Sequence, residues 1–235
     1  MARDKYLIIM AGGSGSRMGG PLPKQFMDLS GRPVLQMTME RFLDAVPGLK
    51  IVTVLPQAHA GLWKELCYKN NFNVPQLMAE GGFTRFHSVR NGLERVPDGA
   101  LVAVHDGVRP LISTGLIASL FRQAEDVPAV VPVIPCTDTL RPVIRRASDG
   151  KLERTDDPPV DRSRVFAVQT PQVFWSETLK KAYRQAYDVS FTDDASVAEK
   201  AGVEVMYVDG EKSNIKLTTP DDMKLAEALC SILHY

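Results

Sequence analysis

Tyr6-Leu7-Ile8-Ile9-Met10-Ala11-Gly12-Gly13-Ser14-Gly15-Ser16-Arg17-Met18-Gly19-Gly20 is an apolar run with no polar face that ends abruptly in glycine. A strand apolar on both sides has to be covered on both sides, as in parallel sheets sandwiched between helices. Six residues are too few for a core helix and far short of the roughly 20 a membrane span needs. Short β-rich runs return at 51–55, 101–105, 129–134 and 203–208. Between them, helical spacing appears at 34–45, 60–69, 86–95, 116–124, 177–187 and 221–233. The alternation predicts an α/β fold with a doubly wound, mostly parallel sheet. In such sheets ligands sit beyond the carboxyl ends of the strands.

One segment breaks the rhythm. Residues 136–168 show no helical period and are dense in Arg, Asp and Pro, including Asp156-Asp157-Pro158-Pro159. A structureless excursion of about thirty residues is uncommon inside a compact domain. It reads as an extended, hairpin-like arm that docks on something else, with a second copy of the chain as the first candidate, so a homodimer is expected. No repeat, low-complexity tract or linker divides the remainder, and 1–235 reads as one domain.

Composition removes several function classes. At 235 residues and 44% hydrophobic content, the chain can bury roughly 70% of its unfolded surface around one core. Lys plus Arg balance Asp plus Glu at 28 each, so no overall positive field draws nucleic acid or an anionic membrane. No signal-peptide pattern precedes the first run, and a cytoplasmic protein is expected. Cys67, Cys136 and Cys230 are odd in number and widely separated, and none forms a C-x-x-C pair, which disfavours both a disulfide framework and a zinc site.

The glycine loop suits phosphates, because glycine lets backbone N–H groups approach a ligand closely. It is not a P-loop, since no Gly-Lys-Ser/Thr follows at the required spacing. Nor is it a dinucleotide fingerprint, since Met18 stands where a third glycine belongs. Two cations, Arg17 within the loop and Lys24 after the stiff Pro23, could converge on one polyphosphate. The plainer alternative is a pair of solvated charges on a turn. Asp106 closes the apolar run at 101–105, where ligands gather, and its hard oxygens suit Mg²⁺ or another divalent cation. A strand-end Asp capping a turn is the alternative there. His105 reads as a packed neighbour rather than a general base.

The segment AGGSGSRMGGPLPKQF resembles the nucleotide loop of sugar-phosphate nucleotidyltransferases, in detail that of the 2-C-methyl-D-erythritol 4-phosphate cytidylyltransferases. Further matches follow in the family's order: GGFTRFHSV from Gly81, VHDGVRP from Val104, DTL from Asp138, VDR from Val160, QTPQVF from Gln169, TDDAS from Thr192 and NIKLTTPDD from Asn214. Val165-Phe166 departs from the more usual Leu-Trp, apolar for apolar, which touches packing more than chemistry.

The resemblance implies a Rossmann-like nucleotidyltransferase fold and transfer of CMP from CTP to a polyol phosphate, releasing pyrophosphate. An already anionic phosphate nucleophile needs little acid–base help, so the demand is for positioning and for neutralising charge at the α-phosphorus. In the family pattern Arg17, Lys24, Arg162 and Lys216 are catalytic. Ala11, Gly12, Gly13, Ser14, Gly15, Gly81, Gly82, Arg85 and Ser88 fall on nucleotide-binding positions, although for Ser88 an ordinary helix start at Thr84 is a competing reading. Asp106, Gly107, Arg109, Thr139, Arg162, Thr170 and Lys216 fall on acceptor positions, and the resemblance implies that Thr139 and Arg162 are supplied across a dimer interface. Asp106 either contacts the polyol hydroxyls or coordinates the metal. Asp209 is a second metal contact or only a turn residue before Gly210.

Three rivals remain in view. A ribitol-5-phosphate cytidylyltransferase shares the loop, the HDxVRP pattern and the NxK segment, but differs at Val160-Asp161-Arg162 and before Gln169. A catalytically silent nucleotide-binding regulator would not need Arg17, Lys24 and Lys216 together. A nicotinamide dehydrogenase would need the missing third glycine.

Overall fold

The computed structural model describes residues 3–13 and 22–233. In chain order the elements are β1 (Lys5–Met10), the short β2 (Asp28–Leu29) and β3 (Arg32–Pro33), α1 (Val34–Ala45), β4 (Lys50–Leu55), α2 (Gln57–Lys69), β5 (Gln76–Glu80), α3 (Arg85–Leu93), β6 (Leu101–Asp106), α4 (Thr114–Gln123), β7 (Ala129–Pro135), β8 (Val143–Arg145), β9 (Leu152–Arg154), β10 (Phe166–Val168), β11 (Gln172–Trp175), α5 (Ser176–Ala182), α6 (Asp194–Lys200), β12 (Met206–Asp209) and α7 (Pro220–Leu233).

Strands β5, β4, β1 and β6 lie side by side and parallel, as the apolar runs predict. Beyond β6 the sheet takes an antiparallel insertion. Val130 of β7 pairs with both Val173 of β11 and Met206 of β12, and Val133 pairs with both Val168 of β10 and Asp209 of β12. A strand has only two edges, so β10 and β11 are halves of one antiparallel ribbon on one edge of β7, and β12 runs parallel on the other. The ribbon breaks at Gln169, Thr170 and Pro171, where proline has no N–H to donate.

Alternate residues of the central strands feed two separate cores. Tyr6, Ile8, Val52, Val54, Val102 and Val104 pack against Phe86, Val89 and Leu93 of α3 and Leu179 of α5. Leu7, Ile9, Ile51, Leu101 and Ala103 pack against Leu35, Met39 and Phe42 of α1, Trp63 of α2 and Phe121 of α4. This period of two with both faces buried is the physical content of the doubly wound expectation. Met223, Ala226 and Cys230 of α7 cover a third cluster with Val34, Met37 and Leu217. Among the described residues no helix is long and apolar enough to cross a membrane.

Several elements differ from the sequence reading. Strand β5 was not read, because as a sheet edge it leaves Leu77 and Met78 exposed between polar ends and presents no continuous apolar run. Strand β11 is only four residues behind a proline, and α6 is under two helical turns, too short for a periodicity signal. Helix α5 stops at Ala182, five residues before its expected end, and β12 starts at Met206 rather than at residue 203. Within 136–168, β8 and β9 form an antiparallel hairpin with Val143 opposite Arg154 and Arg145 opposite Leu152. Its turn is closed by Gly150 at φ 72°, a left-handed backbone that suits glycine. The last three residues, as β10, belong to the main sheet rather than to the hairpin.

Candidate active site

The carboxyl ends of β1 and β6 open into a cleft of about 350 Å³, lined by Gly12, Gly13, Lys24, Gly82, Arg85, Ser88, Asp106 and Lys216 among others. Arg85, Asp106 and Lys216 also line a second hollow of about 420 Å³, together with Arg109, Thr170 and Tyr207. These three side chains form the wall between two compartments. Nine residues read as one site from sequence, Ala11 among them, therefore line one cleft, and Arg109 and Thr170 line its neighbour.

The start of the glycine loop, Ala11 to Gly13, is held from outside itself. Gln25 Nε2 donates to the carbonyl of Ala11 at 2.7 Å and to that of Gly13 at 3.3 Å, and Ala11 N–H donates to the Val54 carbonyl at 2.8 Å. Pro23 introduces a 3-10 turn over Lys24–Phe26 that lays the largely buried Lys24 beside Gly13. Gln25 escaped the sequence reading, since its role depends on carbonyls more than ten residues away.

On the opposite wall, Gly82 N–H donates to Ser88 Oγ at 2.9 Å, and Ser88 Oγ donates to the Thr84 carbonyl at 2.9 Å. Thr84 caps α3 by accepting the His87 N–H. Ser88 thus fastens the glycine turn as well as lining the cleft, and the helix-start reading at Thr84 holds beside it. A Cβ on Gly82 would lie 2.5 Å from His87 Cβ, so only glycine lets this turn close on α3.

Asp106 gathers cations around a buried carboxylate. Its Oδ2 accepts from Arg109 Nε at 3.1 Å and lies 3.1 Å from Lys216 Nζ. Arg109 is itself anchored through Nη1 to the Asn214 carbonyl at 2.8 Å. Burial works against the carboxylate's charge, but Lys216, Arg85 and Arg109 outweigh it and hold the group well below the usual carboxylate range. Gly107 follows immediately, and a Cβ there would lie 2.7 Å from Leu35 Cδ1 and 3.0 Å from the Met10 carbonyl. Gly107 is thus required for packing at the mouth of the site.

His105 is fully buried, and that burial pushes its imidazole down to about 3. Its tautomer follows from its neighbours. Thr170 Oγ1 accepts the Asp106 N–H at 3.1 Å, so its single hydroxyl proton can point to His105 Nδ1, 3.0 Å away. Nε2 then carries the ring proton toward the Arg109 carbonyl at 3.4 Å. The ring is a neutral strut, as the sequence suggested, and no general base at neutral pH.

Some expected residues are not brought together. Thr139 and Arg162 are exposed and line neither compartment; Arg162 Nη1 donates to the Thr137 carbonyl at 3.0 Å. Asp209 lines a different hollow, with Arg164, Phe166 and Tyr207. Three interstrand spacings separate β12 from β6, roughly 14 Å, too far for Asp209 and Asp106 to share one cation. Asp209 closes β12, one residue before Gly210. Arg17, Ser14 and Gly15 lie outside the described residues. Among the described residues no three His, Cys, Asp or Glu side chains cluster as metal ligands. An ionised Asp106 facing glycine turns still fits Mg²⁺, which takes most of its ligands from phosphate and water.

Comparison with known proteins agrees with this geometry. Residues 6–231 match the family model described as 2-C-methyl-D-erythritol 4-phosphate cytidylyltransferase. A protein of that name from Porphyromonas gingivalis is 51% identical over 230 residues, covering 97% of this chain and 99% of the relative. One from Phocaeicola vulgatus is 46% identical over 226 residues, covering 96% and 99%. The crystal structure of the 2-C-methyl-D-erythritol 4-phosphate cytidylyltransferase from Thermus thermophilus superposes with a TM-score of 0.73 at 32% identity, covering 97% of this chain and 99% of that one. A match of this extent, carried by a cleft built from the same motifs, means that the chain belongs to the 2-C-methyl-D-erythritol 4-phosphate cytidylyltransferase family.

Proposed function

We propose that the chain transfers CMP from CTP to 2-C-methyl-D-erythritol 4-phosphate, forming 4-diphosphocytidyl-2-C-methyl-D-erythritol and pyrophosphate in non-mevalonate isoprenoid precursor synthesis. One observation carries the residue assignment: Lys24 and Lys216, nearly two hundred residues apart in sequence, line one cleft with Asp106 at the carboxyl end of β6.

An oxygen of the acceptor phosphate attacks the α-phosphorus and the bond to pyrophosphate breaks, with no proton to remove from an already ionised nucleophile. The chain's task is to hold two anions in line and to offset the charge that grows on the transferring group. Lys24 and Lys216 supply that charge, joined by Arg17 from the glycine loop. Backbone groups of Ala11 to Gly15 take the phosphates. The turn at Gly81 and Gly82 takes cytosine, where unpaired polar groups penalise uracil. A bound Mg²⁺ supplies further neutralisation of the triphosphate. Asp106 is the residue to hold it, or alternatively to bind the polyol hydroxyls.

Thr170 and Arg109 border the second hollow, which takes the acceptor, and Gly107 sits next to Asp106 in the wall. Thr139 and Arg162 complete that hollow from the arm of a second copy. Supporting this homodimer are their exposure in one chain and the apolar Val143, Ile144 and Leu152 displayed by the hairpin. Three unpaired cysteines and a CTP requirement favour a cytoplasmic enzyme.

Pyrophosphate release from CTP and 2-C-methyl-D-erythritol 4-phosphate with Mg²⁺ tests the reading. Turnover is expected, and its absence would reject it in favour of a silent nucleotide-binding regulator. Preference for ribitol 5-phosphate in a parallel assay would reject the acceptor instead.

A further inference from the structure

The segment Thr192-Asp193-Asp194-Ala195-Ser196 matches the family pattern and lines the second hollow through all but Asp194, which the reaction described above leaves unused. Its backbone opens α6: Asp193 Oδ1 accepts the Ser196 N–H at 2.9 Å, and the Ser196 hydroxyl faces back to Asp193. Gln172 ties this cap to the sheet, donating to Asp193 Oδ2 at 2.7 Å and accepting from Ala195 N–H at 2.8 Å.

That frame leaves Asp194 pointing inward, with its side chain 0% exposed. Arg85 meets it in a two-pronged pair, Nη1 to Oδ1 at 2.9 Å and Nη2 to Oδ2 at 2.6 Å. The Tyr183 hydroxyl donates to Oδ1 at 2.5 Å. Removing a carboxylate from water costs several kcal/mol unless good geometry offsets it. Three donors on two oxygens provide that geometry; burial works against the guanidinium's charge, and the Asp194 carboxylate outweighs it.

A pair kept only for stability has no reason to face a ligand cleft. Arg85 does face one: its side chain is 29% exposed and lines both compartments. Two of its five N–H groups go to Asp194, and the planar fork fixes where the others point. Its charge is already shared between the Asp194 and Asp106 carboxylates, so it suits hydroxyl or carbonyl oxygens while the lysines take the phosphates.

We propose that Asp194, with Tyr183 behind it, is a positioning residue that locks the Arg85 fork in the wall between nucleotide and acceptor, aligning the two substrates. This rests on the cytidylyltransfer reading. Misplacing an aligning group by about 1 Å can cost up to 100-fold in rate.

The test compares Asp194→Asn, Tyr183→Phe, Arg85→Met and the double variant Arg85→Met/Asp194→Asn with the wild-type enzyme, whose own turnover checks the underlying reading separately. Expected for Asp194→Asn is a kcat loss of roughly 10- to 100-fold with KM for CTP changed less than about threefold. Tyr183→Phe should lose about two- to fivefold. The double variant should match Arg85→Met in kcat, because Asp194 acts through Arg85. Nitrogen-15 NMR of the Arg85 guanidinium reads the lock without turnover: rotation about Cζ–Nε should be slow in the wild type and faster in Asp194→Asn. Equal rotation in both, retained kcat in a less stable Asp194→Asn, or additive losses in the double variant would each overturn the proposal.

Discussion

Asp106 and Arg162 are both charged residues that the family pattern assigns to one reaction, and the fold treats them in opposite ways. Asp106 is nearly buried, with two cations on a single oxygen and a glycine that cannot be enlarged behind it. Arg162 is exposed on the arm, its side chain donating to the Thr137 carbonyl. The central cleft is over-determined within one chain, so its residues stand at fixed positions before any substrate arrives. The arm is determined locally, as a hairpin, but not globally. A precise task for Arg162 therefore needs a second surface to hold it.

The largest expected effect sharpens the central side of this contrast. Lys216→Ala or Lys24→Ala should each lower kcat by roughly 10²- to 10³-fold with smaller changes in KM, measured as pyrophosphate release. Loss confined to KM would mean that these lysines bind the ground state only.

A smaller but more diagnostic effect addresses the arm. Arg162→Ala and Lys216→Ala, each impaired alone, should regain roughly a quarter of wild-type activity when unfolded and refolded together. Half of the dimers are then mixed, and one of two sites in each is intact. No recovery would place Arg162 in its own chain's site, or in none.

The smallest effect concerns stability. His105 is held neutral with its folded value pushed down to about 3, while its unfolded value is ordinary. The unfolded chain therefore binds the extra proton between about pH 6.5 and 3. This contribution is full above that window and falls away as pH drops through it, by up to about 3 kcal/mol at pH 4. His105→Gln should be less stable at pH 7, with a flatter decline in denaturant unfolding between pH 6.5 and 4. An unchanged slope would contradict a neutral buried ring.

What could be read from sequence follows the same division. Runs such as residues 6–11 and 101–105 announce a two-faced sheet because their burial is periodic and local. Lys24 and Asp106 stood out because a glycine loop and a strand end mark where ligands gather, while Lys216 was singled out by the family resemblance. Gln25 and Asp194 were not, because their meaning lies in a carbonyl or guanidinium contributed from elsewhere; Asp194 meets Arg85 across 109 positions. Strand β5 and helix α6 fell below the length and apolarity at which a pattern stands out. Asp209 was a metal candidate only through the family resemblance, with a turn residue as the alternative, and the strand order separates it from Asp106.

The central claim is that Lys24 and Lys216 surround one reacting phosphorus atom beside Asp106. A crystal structure with CTP and Mg²⁺ tests it most directly. The expected result has cytosine on the turn at Gly81 and Gly82, with the α-phosphate between the two lysine ammonium groups. A triphosphate lodged elsewhere, or an α-phosphate out of reach of both lysines, would contradict the account.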